Sequence, residues 1–222
     1  MIQLTFNPFD LPQTTNASLF ELTAIVLTGL CKFIFVDVLA LKFWFIISAC
    51  FFWLIYVSYK IKQDQQILTV WGFTKKGFRS SLIFILPFAL LAIISFAGYG
   101  MYTEKIILNW HIIPILFLYP LWGTIQQFLV ISLMVTNLKR IEKPIFSQPM
   151  IILISSIVFA SVHYPSLPLV IGTFLLAILY TITFLKYNNI WVLGLFHGWL
   201  GCFFYFFTLE RDPWLEFIQA VQ

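Results

Sequence analysis

Long apolar runs alternate with short polar connections along this chain, and few of the runs carry the polar stripe that marks a helix lying on a protein surface. Runs that are apolar all round suit helices of about 20 residues crossing ~30 Å of hydrocarbon. Six spans are expected, at 43–59, 81–100, 112–138, 149–163, 167–185 and 190–207, the last three short or separated only by turns. A further stretch, 17–36, contains Glu21 and Lys32, is followed by Asp37, and meets the first span with no Gly or Pro turn between them. It is expected to be an interfacial helix or the start of one long tilted helix. The predicted fold class is all-α, a polytopic transmembrane helix bundle.

Composition agrees. Of 222 residues 61% are apolar and only 10% charged, with 26 Phe and 8 Trp, well outside the range of a water-soluble domain. The lipid bilayer is therefore the first partner. Lys60, Lys62, Lys75, Lys76 and Arg79 fill the first connection, Lys139, Arg140 and Lys143 the third, and Lys186 sits in the fifth. These connections share one side, which the Lys/Arg bias makes cytoplasmic, with both termini opposite. The other side has Glu104 and Lys105, a turn at 164–168, and a tail with Glu210, Arg211, Asp212 and Glu216. The net charge of +4 follows from this topology and gives no reason to expect nucleic-acid binding.

Pro8, Asp10 and Pro12 occur before any Lys or Arg, so the start lacks the basic region of a secretory signal. Ser18 and Glu21 have capping-box spacing, which predicts a helix start near Ser18. That capping also accounts for Asn16-Ala17-Ser18, which matches a glycosylation acceptor. Cys31, Cys50 and Cys202 are scattered in apolar stretches and suggest neither a disulfide framework nor a metal cluster. With no repeat and no Gly/Ser linker, the chain is expected to be one structural domain, with 1–109 as helical support, 110–207 as functional core and 208–222 as an acidic tail.

Polar residues inside the spans concentrate in that core. The first two spans offer little beyond Ser48 and Ser95, whereas the rest carry Gln126, Gln127, Thr136, Ser155, Ser156, Ser161, His163, Thr181, Thr183 and His197. Polar groups at membrane depth are costly and mark cavities or helix contacts. The adjacent amides of Gln126 and Gln127 need partners for two N–H₂ groups and two carbonyls, and a lipid-facing surface supplies none. A purely structural explanation stands beside this one, in which the glutamines clamp two helices and each histidine is neutral and bonded to a facing Gln, Ser or carbonyl. Pro114, Pro120 and Gly123 should loosen the helix before the glutamines and free carbonyls toward the bundle centre. Gly194, Gly198 and Gly201 form a small-residue strip suited to close helix approach. His111, Trp110, Tyr164, Tyr187 and Trp191 read as anchors at the headgroup level. Two histidines, with Cys202 five residues beyond His197, fall short of the three or four ligands of a zinc site, so neither a metal nor another cofactor is expected.

The order Gln126-Gln127-Phe128-Leu129-Val130-Ile131, then Phe159-Ala160-Ser161-Val162-His163, then His197-Gly198-Trp199-Leu200-Gly201 resembles the CPBP family of intramembrane proteases, the CAAX-protease and bacteriocin-processing family. That family's motifs read Glu-Glu-x-x-x-Arg, Phe-x-x-x-His and His-x-x-x-Asn. The 69–81 stretch, with Trp71-Gly72-Phe73 ahead of Lys75, Lys76 and Arg79, is similar to the basic loop that precedes the family's core, so the resemblance runs over roughly 68–207.

The resemblance implies a multi-pass protein of a bacterial cell membrane. It also implies that the first Glu, assisted by the second-motif His, activates the hydrolytic water, while the third-motif His and Asn steady the oxyanion. Here Gln126 and Gln127 stand for the Glu pair, Ile131 for the Arg and Gly201 for the Asn, while Phe159, His163 and His197 are retained. A general base must take a proton, which an amide cannot do. Loss of one oxyanion donor costs about 3 kcal/mol and weakens an enzyme without ending it; loss of the base is the heavier defect. The expected function is thus a catalytically impaired relative that binds a membrane peptide, lipid or protein partner. Two alternatives are a divergent endopeptidase using His163 and His197, and a structural subunit of a membrane complex.

Overall fold

The computed structural model describes residues 15–141 and 146–221, and the chain there is helical, with no strand among the described residues. Pro8, Asp10, Pro12 and Lys143 lie outside the described residues. The helices are α1 (Thr15–Lys32, prolonged by a π-helical turn over Phe33–Val38), α2 (Lys42–Gln63), α3 (Ile67–Val70), α4 (Phe78–Tyr102) and α5 (Ile112–Gln127). After α5 a second π-helical turn (Phe128–Leu133) leads into α6 (Met134–Arg140), followed by α7 (Gln148–Ser161), α8 (Leu167–Tyr187), α9 (Ile190–Phe207) and the short α10 (Pro213–Val221). The bundle is all-α and polytopic, as the apolar pattern predicts.

Among the described residues six helices are long and apolar enough to cross a membrane, but they are not the expected six. Asn16–Val38 qualifies with 23 residues, whereas Gln148–Ser161 has only 14. The chain breaks after α1 at Ala40, whose φ of 55° lies in the left-handed region, so α1 and α2 are separate helices and not one long one.

Contacts at its two ends orient α1. Near its start Glu21 meets Lys60 and Asn137, at the end of the bundle that carries the basic connections; near its finish Lys32 Nζ donates to the Tyr164 carbonyl at 2.7 Å, at the opposite end. The helix runs the depth of the bundle, and its first residues sit with the basic connections, contrary to the expectation for the amino terminus. Ser18 lies inside the helix, buried with its hydroxyl unpartnered, so the capping box does not form. Glu21 is drawn instead into tertiary bonds: only 2% exposed, its carboxylate accepts from the Tyr56 hydroxyl and, at 2.6 Å, from Asn137 Nδ2, with Lys60 Nζ at 3.4 Å.

The core is the antiparallel pair α5 and α9, and the sequence explains how closely they cross. A Cβ built on Gly198 would collide with the backbone of Tyr119 and Pro120, and one on Gly194 with Thr124. On the facing helix, a Cβ on Gly123 would lie 2.6 Å from the Gly194 carbonyl. Pro120 has no N–H for the carbonyl four residues back, that of Leu116, and this freed group accepts from Trp199 Nε1 of α9 at 3.2 Å. The expected loosening therefore becomes a cross-helix bond.

The basic end is closed by the 67–77 segment. Trp71 is fully buried, with its ring against Phe128 and its carbonyl accepting from Ser132 Oγ at 2.8 Å. Asn188 and Asn189, in the α8–α9 turn, donate to the carbonyls of Thr69 and Thr74 at 2.8 and 2.7 Å. At the other end the tail residues form α10. Asp212 caps it, with Oδ1 accepting from the N–H groups of Trp214 and Leu215, and its other oxygen meets His111 Nδ1 at 2.6 Å. His111 is thus more than an interfacial residue: it ties the start of α5 to α10.

Candidate functional site

A cavity of about 1100 Å³ opens between α2 and the core, walled mainly by apolar side chains from α1, α2, α4, α5, α7, α8 and α9. Gln126, Phe159, His163, His197 and Gly201 all line it. Gln127 and Ile131 do not: both are fully buried elsewhere, Gln127 at the end of α5 and Ile131 in the π-helical turn that follows. Neither amide atom of Gln127 has a hydrogen-bond partner among the described residues. The two glutamines are adjacent on a helix, about 100° apart, so only one can face the cavity.

Phe159, from the last turn of α7, organises the histidines. Its ring meets His163 edge-on at 5.0 Å and His197 at 5.3 Å between centroids. Its carbonyl also bonds His163 Nδ1 at 2.8 Å. A carbonyl only accepts, so Nδ1 of His163 carries the proton and Nε2 is left as an acceptor. His197 Nε2 lies 2.9 Å from Gln126 Oε1, and the same reasoning puts its proton on Nε2. His197 Nδ1 is then a second acceptor, buried and without a partner among the described residues.

Two neutral imidazole acceptors, one amide and an aromatic edge can orient a ligand that donates a hydrogen bond. They do not make an acid–base pair, because no carboxylate lines the cavity among the described residues. Nor, among the described residues, do three or more His, Cys, Asp or Glu come together in a group able to hold a metal ion. Gly201 does not serve close packing as expected. A Cβ there would find ordinary contact with Tyr119 at 3.8 Å, so the strip that packs is Gly194 and Gly198, and Gly201 leaves cavity space.

Sequence reasoning also missed groups from the first half of the chain. Lys32, Lys42, Ile46, Trp53, Phe88 and Phe96 all line the cavity. Lys32 was visible as a charge within an apolar run, the usual mark of a membrane residue with a task, whereas the apolar wall from α2 and α4 carried no signal.

Residues 107–203 match the family model described as type II CAAX prenyl endopeptidase Rce1-like. No curated protein and no solved structure gives a match. The matched stretch spans the positions of all three motifs, from Gln126 through His163 to Gly201, and it lies on helices apolar enough to cross a membrane, so the chain resembles a membrane CAAX protease there. Over residues 107–203 the chain is similar to the Rce1-like type II CAAX prenyl endopeptidase family.

Proposed function

We propose that this is a non-catalytic member of the CAAX-protease-like proteins, with 110–207 as its core and 1–109 as support, which uses its intramembrane cavity to bind a membrane peptide, a lipid or a partner subunit. The observation that carries this reading is the pairing of Gln126 with His197 in a cavity that no carboxylate lines among the described residues. Peptide hydrolysis at neutral pH needs a group that removes a proton from water and returns it to the leaving amine. The Gln126 amide stays neutral and uses its oxygen to fix a histidine.

A second reading, a divergent endopeptidase, draws support from His163 and His197 meeting the same Phe159 ring. An imidazole can act as base near its ordinary pKa of about 6.5, but it works best when a carboxylate orients it. Neither histidine has a carboxylate partner among the described residues.

The deciding experiment uses purified protein in liposomes with prenylated and leader-type peptides. No cleavage product is expected. Cleavage that His163→Ala abolishes would overturn the reading in favour of the endopeptidase. The triple variant Gln126→Glu, Gln127→Glu, Ile131→Arg tests whether the remaining geometry still supports the reaction.

A further inference from the structure

The cavity wall has a chemical polarity that the histidine pair does not explain. Among the described residues that line it the only charged side chains are Lys32 and Lys42, both cationic, from the end of α1 and the start of α2. Both belong to the end of the bundle opposite the basic connections, Lys32 through the Tyr164 carbonyl and Lys42 through Glu216 at 3.9 Å. The remaining wall is overwhelmingly apolar, and at about 1100 Å³ the volume is at or above the upper end of small-molecule pockets, which run to about 1,000 Å³.

Two properties narrow the occupant. A peptide brings a backbone N–H and C=O roughly every 3.5 Å, and inside an apolar wall each needs a partner. The helices forming this wall use their own backbone groups internally, and Gln126, His163 and His197 could serve only a few. An alkyl or isoprenoid chain makes no such demand. The cations, in turn, select an anionic end. Lys32 is bonded to Asp37 at 2.7 Å, but Lys42 is 47% exposed and only loosely paired, since Glu216 is held in a two-bond fork by Arg211.

Building on the non-catalytic reading above, we propose that the cavity holds one anionic lipid, its chain against the apolar wall toward Phe159 and its headgroup met by Lys32 and Lys42. α2 is the gate on the bilayer side: of its residues only Trp53 is buried, so it packs loosely and a chain can enter beneath it.

The test is native mass spectrometry of the full chain released from bilayers of phosphatidylglycerol and phosphatidylcholine with identical acyl chains in equal amounts. One phosphatidylglycerol per chain should be retained over phosphatidylcholine. Lys42→Gln, at a half-exposed position that leaves the core intact, should reduce that preference about fivefold, the weight of one lysine near an anionic headgroup. Lys42→Glu should reduce it further, and Ala89→Trp, which fills the cavity, should lower retention of either lipid. Equal retention of the two lipids, or a preference unchanged in both Lys42 variants, overturns the proposal. So does displacement of the lipid by an unprenylated peptide, which would make a peptide the occupant. Failure here is separable from failure of the non-catalytic reading, because peptide cleavage is read in its own assay and does not depend on which lipid is retained.

Discussion

Gln126 Oε1 and His197 Nε2 lie 2.9 Å apart, a neutral hydrogen bond at the cavity wall that joins α5 to α9 alongside the Trp199–Leu116 bond. Replacing the glutamine by Leu keeps the volume but leaves the ring N–H unpaired, which should cost about 1–3 kcal/mol. Gln126→Glu restores an acceptor and should keep the imidazole proton on Nε2. Thermal unfolding in detergent measures the first effect, and ¹⁵N NMR of labelled histidine the second.

The α5–α9 crossing makes two glycines of one strip behave oppositely. Gly198→Ala drives a methyl into the Pro120 backbone and should destabilise by about 1–3 kcal/mol or prevent folding, as overpacking does. Gly201→Ala meets only Tyr119 at ordinary contact distance and should stay within about 0.5 kcal/mol of the parent. Parallel melting curves, with size-exclusion profiles for yield, separate the two.

Glu21 ties α1 to α2 and α6 through Tyr56, Lys60 and Asn137. Glu21→Ala removes the acceptor and leaves a cation and two donors without it, a loss of about 3 kcal/mol for a buried pair broken on one side. Glu21→Gln keeps an acceptor for Tyr56 or Asn137 and should lose less. Urea titration followed by proteolysis of α1 distinguishes them.

Asp212 is the titratable cap of α10. Burial opposes its charge, but hydrogen bonds from His111, Asn109 and the Leu215 N–H outweigh this and hold its carboxyl below the ordinary range. A carboxyl depressed in the folded state adds stability above its unfolded pKa of about 3.9 and loses it as pH falls below that. Hydrogen exchange over 213–221, corrected for its intrinsic pH dependence, should show protection that weakens on acidification. Asp212→Asn keeps the helix cap but should flatten the dependence.

The fold class was legible in the sequence, and so was the facing of Gln126, His163 and His197 into one cavity, because both rest on rules with few exceptions. Apolar length identifies membrane helices, and polar residues within them mark places where helices meet something other than lipid. Pro120 pointed correctly to a freed carbonyl, though not to Trp199 as its partner. The errors share a cause, in that local pattern was allowed to speak for tertiary contact. Ser18 and Glu21 have cap spacing, but Tyr56 and Asn137 offered Glu21 better partners than its own backbone. The π-helical turn over Phe128–Leu133 contains neither Gly nor Pro, and nothing in those six residues announces it. The adjacent glutamines looked equivalent, yet helix rotation sends one to the cavity and buries the other.

The shortness of α7 has a consequence for the surrounding membrane. Its 14 residues make a rod of about 21 Å, and Leu153 and Ile157 are half exposed on its flank. Set in ~30 Å of hydrocarbon, such a rod makes the nearby lipids thin and draws water and headgroups inward. The resulting dimple lies on the helix that leads to Phe159 and His163, where solvent would have the least oil to cross.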